Sequence, residues 1–533
     1  MSSRKSNGIL SDSISRRDFL IGSSGIMLLG CTPDTARLPT GALLGPDHTI
    51  GHKLRDKQFP AATRELHTPV LIAGAGIAGL SCGWWLERNG VKDFKLLELE
   101  TVAGGNSRSS TNSVSAFPWG AHYLPLPGPD AKYVRMLLAE LGVLHGDIDA
   151  VAPIYDEKML IQAPDERLFI NGAWQDGLVP QAGIGASAQR EIQGFEKLMK
   201  YWKERKGSDG RYAFTIPADL SSTDLNILAL DKITFHEWLQ QHHFTSEPLQ
   251  WYVSYSCRDD FGADQHQISA WAGLHYFCCR HGQAANVDSD NVLTSPQGNG
   301  WIVEKLSNKL QQQLLTGHSV VRIETHADRV SADVYNSATG EVVRIHCKQF
   351  VWAAPVFVLP RVWSAMPEIS IPEYAPWLVA NLTLNKVEDS EFSTWDNIIY
   401  QGQGLGYVDA THQTMQFHRP QRVLTYYHTL NRLPPREARQ YLLETSHETW
   451  TNQIFADLHK AHPQLEKQCS AIDIWRWPHA MAIPSPGFLS SLPSRQQNLH
   501  PRLHIAHSDL SGFSLFEEAQ YWGVKAAQAI LNS

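Results

Sequence analysis

Three glycines in the stretch PVLIAGAGIAGLSCGWWLERNG, Pro69 to Gly90, restrict this chain more than any other feature. Gly74, Gly76 and Gly79 stand in G-x-G-x-x-G spacing. The apolar run before them, Val70 to Ala73, has the length of a buried parallel strand. Leu80, Trp84 and Leu86 begin a helix that Gly90 ends. Each glycine has its own task. Gly74 makes the tight turn, Gly76 lets main-chain amides approach a pyrophosphate, and Gly79 lets helix and strand pack closely. The helix N-terminus turns its partial positive charge toward the phosphates. A second strand follows, Phe94 to Glu100. Glu98 falls about twenty residues beyond the loop, where a carboxylate accepts hydrogen bonds from ribose hydroxyls. Glu100, one pleat period on, competes for the same task.

Gly104 and Gly105 come six residues and more past Glu98, in TVAGGNSRS. An acid closing the second strand, then a Gly-Gly turn, resembles the second glycine motif of flavoproteins in the amine oxidase and phytoene desaturase superfamily. The resemblance implies FAD as cofactor, with its phosphates against that turn. Relatives carry Arg directly after the pair; Asn106 stands there, and Arg108 is the candidate for the missing charge. WGAHYLPLP, Trp119 to Pro127, resembles the segment that passes the flavin ring, with Gly120 and Ala121 giving close approach. His122 either faces the ring or is an ordinary packed or solvated histidine.

The far end of the chain carries an independent match. LHIAHSDLSGFSLFEEAQYWGVKAAQAIL, Leu503 to Leu531, reads as strand, loop and helix. Ala519, Gly523, Ala526 or Ala527 and Ile530 give that helix a small-residue face. Relatives have Ala-Gly-Asp or Ala-Gly-Glu at the strand end. Here His507 replaces the glycine, and Asp509 is the candidate acid toward the ribityl or phosphate region. Phe516, at the helix start, joins the cofactor candidates. SPQGNGWIVEKLSNKL, Ser295 to Leu310, resembles the loop and helix that re-enter the cofactor domain. A valine of a following strand contacts adenine in relatives, and Val320 is the candidate. IWRWPHAMAIPSPGF, Ile474 to Phe488, resembles the strand that runs beside the flavin, with Trp477 nearest the ring.

The expected fold is therefore α/β. A Rossmann-like FAD-binding domain of the GR2 type is assembled from discontinuous segments 68–130, 291–360 and 495–533. A mixed α+β substrate domain takes 131–290 and 361–494. Within it, Tyr255, Arg258, His275 and Tyr276 are candidates for the substrate pocket. Their competing readings are plain: an aromatic stripe is usually core, and a histidine on an apolar stretch is usually a hydrogen-bonded core residue. The run Arg258-Asp259-Asp260 serves either an interdomain ion network or a polar substrate, since three adjacent charges rarely enter a core. No metal-ligand spacing and no nucleophile elbow is present.

The resemblance implies an oxidoreductase, amine-oxidase-like, that moves a hydride from a small organic substrate to flavin. An amine is the family default. Two alternatives stand beside it: a desaturase or isomerase of a large apolar molecule, and a flavin-binding partner protein without catalysis.

Residues 1–31 read as an export signal and 32–67 as a linker. Arg16-Arg17 precedes Phe19, Leu20 and an apolar run from Ile21 to Gly30. That run is shorter than the roughly 20 residues a spanning helix needs. The pattern resembles a twin-arginine signal, which makes the twin-arginine translocation machinery an expected partner. Leu28-Leu29-Gly30-Cys31 also resembles a lipoprotein box, which would attach the protein to a membrane through an acylated Cys31. The expected location is periplasmic or otherwise exported. Net charge is −8, and −10 without residues 1–30, which argues against nucleic acid as a partner. Seven cysteines, none in C-x-x-C spacing, suit buried thiols of a protein folded in the reducing cytosol.

Overall fold

The computed structural model describes residues 38–533, except 389, 390, 393, 415 and 417. The arginine pair and Cys31 lie outside the described residues. Two sheets organise the rest. The first has seven strands, in the order Leu314–Leu315, Phe94–Leu97, Arg64–Ala73, Val342–Trp352, Val330–Asn336 and His318–Thr325, with Leu503–Ile505 also pairing Val342–Trp352. Arg64–Ala73 is parallel to both Phe94–Leu97 and Val342–Trp352. Trp352 is in register with Ala73 on one strand and Ile505 on the other. Three distant segments thus end side by side.

Crossovers between parallel strands place helices on the sheet faces. The helix Ile77–Arg88 leaves the glycine loop and packs against the C-terminal helix Phe516–Leu531. Small residues set that approach. A Cβ added at Gly79 would stand 1.8 Å from the Gly74 carbonyl oxygen, and one at Gly523 would stand 2.2 Å from that of Ala78. Trp84 is fully buried beneath the pair, with its indole N–H donating to Glu140 at 2.8 Å.

The second sheet has eight strands: Leu43–Leu44, Cys469–Ala482, Tyr374–Asn385, Gln421–Thr429, Tyr407–Asp409, Asp396–Ile399, Glu166–Ile170 and Ala173–Asp176. Side chains alternate between two cores, as the pleat requires. Leu378, Ala380 and Leu424 face one core, with Leu442, Trp450 and Ile454 from the helices Pro435–Glu444 and His447–Leu458. Trp377, Val379 and Val423 face the other, with Phe195, Trp238, Val253 and Trp271 from the helical first insertion. That inner face also packs Phe117 and Trp119, from the segment that follows the Gly104-Gly105 turn.

The stretch expected as a linker departs from expectation. From Thr40 onward it is built in: Thr40 bridges Ala471, Leu43 and Leu44 pair with Ile474 and Trp475, and the first strand of the cofactor sheet starts at Arg64. Its polar composition reflects an edge position rather than freedom. The six described cysteines are all buried free thiols.

The helix contact gives a direct test. Gly523→Val should lower unfolding free energy by about 1–3 kcal/mol through overpacking. Gly51→Ala, on the exposed side of the helix His48–Asp56 with nothing within 4 Å, should not lower it, since alanine is the better helix former. Denaturant unfolding of both variants measures the difference.

Candidate functional site

The crevice begins where the parallel strands end. Gly74 has φ 109°, a left-handed conformation that only glycine adopts without strain. Gly76 caps the helix Ile77–Arg88 with no side chain over its N-terminus. A Cβ added at Gly76 would meet nothing within 4 Å, so open space lies directly before the loop. Gly104 bridges Gly76, its N–H donating to the Ala75 carbonyl at 2.9 Å. Gly105 is exposed across the same space, where an added Cβ would have only the Gly76 Cα near it, at 3.5 Å. Two bare backbone turns therefore face one gap. This is the shape a pyrophosphate needs, and the residues present fit a dinucleotide.

The acids of the second strand separate by task. Glu98 accepts from the Ala75 N–H at 2.9 Å and the Glu100 N–H at 3.0 Å, and burial raises its carboxyl above the usual range. Glu100 turns away, accepting from the Asp47 N–H at 2.7 Å and standing 3.8 Å from Arg108. Arg108 is buried, donates to the Val102 carbonyl at 2.8 Å and lies 4.8 Å from the Trp475 ring centre. Asn106 is tied by its side chain to the Ala480 carbonyl at 2.7 Å. Val320 is buried with Leu71, Ala73 and Leu97, on the strand that starts beside Glu98.

The opposite rim comes from the C-terminus. Ala353, next after the strand Val342–Trp352, abuts Gly74: its carbonyl oxygen is 2.5 Å from where a Gly74 Cβ would be. Three residues on, the Val356 N–H donates to Asp509 Oδ2 at 2.9 Å, and the Tyr374 hydroxyl donates to the same oxygen at 2.6 Å. Burial raises the Asp509 carboxyl, but His507, Tyr374 and the Val356 N–H outweigh it and hold the group below its ordinary range. Its other oxygen, Oδ1, is buried without a hydrogen-bond partner among the described residues. An orphaned carboxylate oxygen at this rim suits a hydroxyl-bearing cofactor. Phe516 packs in the apolar cluster with Ala75, Ile77 and Ala78.

A second space opens past Gly120. The Tyr427 hydroxyl donates to the Gly120 carbonyl at 2.9 Å, and the Trp477 indole donates to that of Trp119 at 2.6 Å. A Cβ at Gly120 would stand 2.2 Å from the Asn106 carbonyl oxygen, which also accepts from the Ala121 N–H. The His122 ring is 4.7 Å from Tyr427 and 5.6 Å from Trp395, centre to centre. Tyr123 accepts from Arg280 at 3.1 Å, and Arg280 stands 3.8 Å from Asp260.

His122, Tyr123, Asp259, Tyr276, Arg280 and Asp396 are all only partly covered. Yet burial is the leading influence on every one of their ionisations. Partial access with heavy desolvation marks the wall of an internal cavity. Burial holds His122 down to about 3, so it is neutral at pH 7. Burial and Asp260 push Asp259 up to about 7, against the pull of Arg280 and Arg258.

The substrate-pocket candidates divide. Tyr255 and Tyr276 act electrostatically on each other and on Asp259, and belong to the cavity. Arg258 points elsewhere, toward the Gln403 carbonyl at 3.4 Å. His275 is a core residue, stacked between Trp271 and Phe513, with Nε2 3.0 Å from the Thr215 carbonyl. Tyr123, Arg280, Asp396 and Glu166 were not candidates. A charged residue inside a strand-like run, as in WDNII, was the available signal.

Bare glycine turns that fit a dinucleotide, with aromatic and ionic side chains gathered beyond Gly120, suit a nucleotide-cofactor oxidoreductase. Residues 77–531 match the family described as flavin containing amine oxidoreductase, and the chain belongs to that family. It is a flavoprotein whose cofactor is FAD. No curated protein matches the sequence. Among solved structures, wild-type putrescine oxidase bound to putrescine is similar, with TM-score 0.64, 14% identity, and coverage of 88% of this chain and 100% of that one. Cyclohexylamine oxidase from Brevibacterium oxydans aligns with TM-score 0.61 and 14% identity, over 87% of this chain and 99% of that one. The fatty acid isomerase of P. acnes that produces CLA gives 0.57 and 13%, over 86% and 97%.

Gly76→Ala should keep the stability of the cofactor-free protein, because its φ is −72° and the added methyl enters open space. The same methyl should block flavin retention. Flavin absorbance per polypeptide, read beside the unfolding midpoint of the cofactor-free protein, checks both halves.

Proposed function

We propose that the protein is an FAD-dependent amine oxidase. The observation that carries this reading is the charge of the cavity beyond Gly120. Asp259, Asp260 and Asp396 stand there against Arg280, with Arg258 exerting the smaller pull on Asp259 while it donates to the Gln403 carbonyl, among tyrosines and Trp395. Buried carboxylates in excess of buried cations favour a cationic ligand, and aromatic faces add cation–π attraction. A large apolar substrate would leave those carboxylates desolvated and unpaired, which argues against a desaturase or isomerase of such a molecule.

In this reading Gly74, Gly76, Gly79, Gly104 and Gly105 hold the pyrophosphate, Glu98 the adenosine ribose, and Asp509 Oδ1 a ribityl hydroxyl. Gly120 and Ala121 give the ring its approach, with Trp477 behind them. Bound flavin supplies a hydride acceptor for the carbon that carries the amine. The chain's own residues orient that carbon and exclude water. Neutral His122 adds no competing positive charge beside the amine.

Anaerobic mixing with amines tests the reading. Bleaching of the visible flavin band by an aliphatic amine, and none by a polyene or unsaturated fatty acid, is the expected outcome. The reverse pattern would sink it.

The proposal includes export by the twin-arginine route in a folded, cofactor-loaded state. Arg16-Arg17 with its apolar run supports this, as do the buried free thiols. Replacing Arg16 and Arg17 together by Lys should hold the protein in the cytoplasmic fraction. Equal export of this variant would remove that part.

A further inference from the structure

The cavity has a second end where no cation among the described residues is a named influence on the carboxylates Asp396 and Glu166. Asp396 lies directly opposite Glu166 in the parallel pair Asp396–Ile399 and Glu166–Ile170. Residues so paired put their side chains on one face, and like charges there are destabilising. The face is the inner one, since Leu168 and Ile398, two residues on, belong to the inner core. Arg167, the nearest cation in sequence, projects to the other face. It donates to Asn397 at 2.6 Å and stacks on Trp174 at 3.9 Å. The leading influences on Asp396 are burial, Asp259 and Glu166, and those on Glu166 include burial, Asp165 and Asp290; none is a cation. Arg280 is engaged with Tyr123 and Asp260.

A second observation points to a ligand. Tyr255 is 5% exposed, and its hydroxyl makes no hydrogen bond with any described residue. The groups that act on it are Asp396, Asp259, Tyr276 and Glu166, so it projects into the same acidic space. Tyr252 joins from the same helix, facing Glu166. Glu166 accepts from the Leu178 N–H at 3.2 Å through Oε1 alone, so its second oxygen, the Asp396 carboxylate and the Tyr255 phenol oxygen remain acceptors for further N–H donors. A quaternary or apolar group could not donate to them, whereas an ammonium carries N–H donors to match.

We propose that Asp396, Glu166 and Tyr255 bind a second ammonium group of the substrate, which makes the substrate an aliphatic diamine or polyamine. This rests on the amine oxidase reading: one amine reacts beyond Gly120 while the distal ammonium is held at this end. The pair then sets specificity rather than chemistry.

The test uses the flavin-loaded full chain and compares 1,n-diaminoalkanes with n-alkylamines of equal length. Anaerobic flavin reduction should half-saturate at a concentration roughly tenfold or more lower for the best diamine than for its monoamine. Asp396→Asn and Glu166→Gln should each raise the diamine half-saturation roughly ten- to a hundredfold, far more than that of the monoamine, with little change in limiting rate. Because each removes a repelling charge, both variants should unfold no earlier than the parent, and the two check each other. The diamine should also raise the parent's unfolding midpoint more than it raises that of Asp396→Asn. Monoamines that reduce the flavin with no diamine preference would overturn the second site and leave the oxidase reading standing. Diamine stabilisation lost in Asp396→Asn, with no amine reducing the flavin, would keep the site and overturn the oxidase.

Discussion

The structure depends on one register. Ala73, Trp352 and Ile505 lie side by side on three parallel strands drawn from the beginning, middle and end of the chain. Main-chain hydrogen bonds fix that alignment, so the turns that follow each strand must meet at a common rim. The glycine loop, the Ala353–Val356 turn and the Asp509 loop are those turns. Ligands in open parallel sheets sit outside the carboxyl ends of the strands, and the rim here follows that rule. Remove the register, and the bare backbone around Gly76 and Gly105 no longer faces anything.

The second sheet turns the same logic to charge. Its inner face is largely Trp, Val and Ile, yet it carries Asp396 and Glu166 at neighbouring positions. Such a placement costs stability and serves no packing purpose. Strain of this kind is found where a ligand completes the site. The helix Glu247–Phe261 shows how one run of charge serves two ends: Arg258 reaches Gln403, while Asp259 turns into the cavity. Successive residues on a helix point in directions about 100° apart, so three adjacent charges need not act together.

The cofactor half was legible because its chemistry is local. Gly74, Gly76 and Gly79 announce themselves by spacing, and Glu98 follows at a fixed interval. The small face of the last helix was readable from Ala519 and Gly523, though its partner, Ala78, was not. The cavity was much less legible. Asp396 and Glu166 are far apart in sequence and meet through a strand pairing that no short pattern encodes. His275 and Tyr276 are adjacent, yet one is core and the other cavity wall, and only tertiary packing separates them. The polar stretch before Arg64 looked like a tether because edge strands and tethers share a composition.

The strand Leu503–Ile505 and the helix after it have a consequence for biogenesis. As the nascent chain leaves the ribosome, the glycine loop is made early, but the wall that holds Asp509 and the helix that clamps Ala78 arrive last. Until then the cofactor has half a binding surface. A complete flavin crevice therefore waits on the strand Leu503–Ile505 and the helix Phe516–Leu531, and a product stalled before them has no full wall to close on the cofactor.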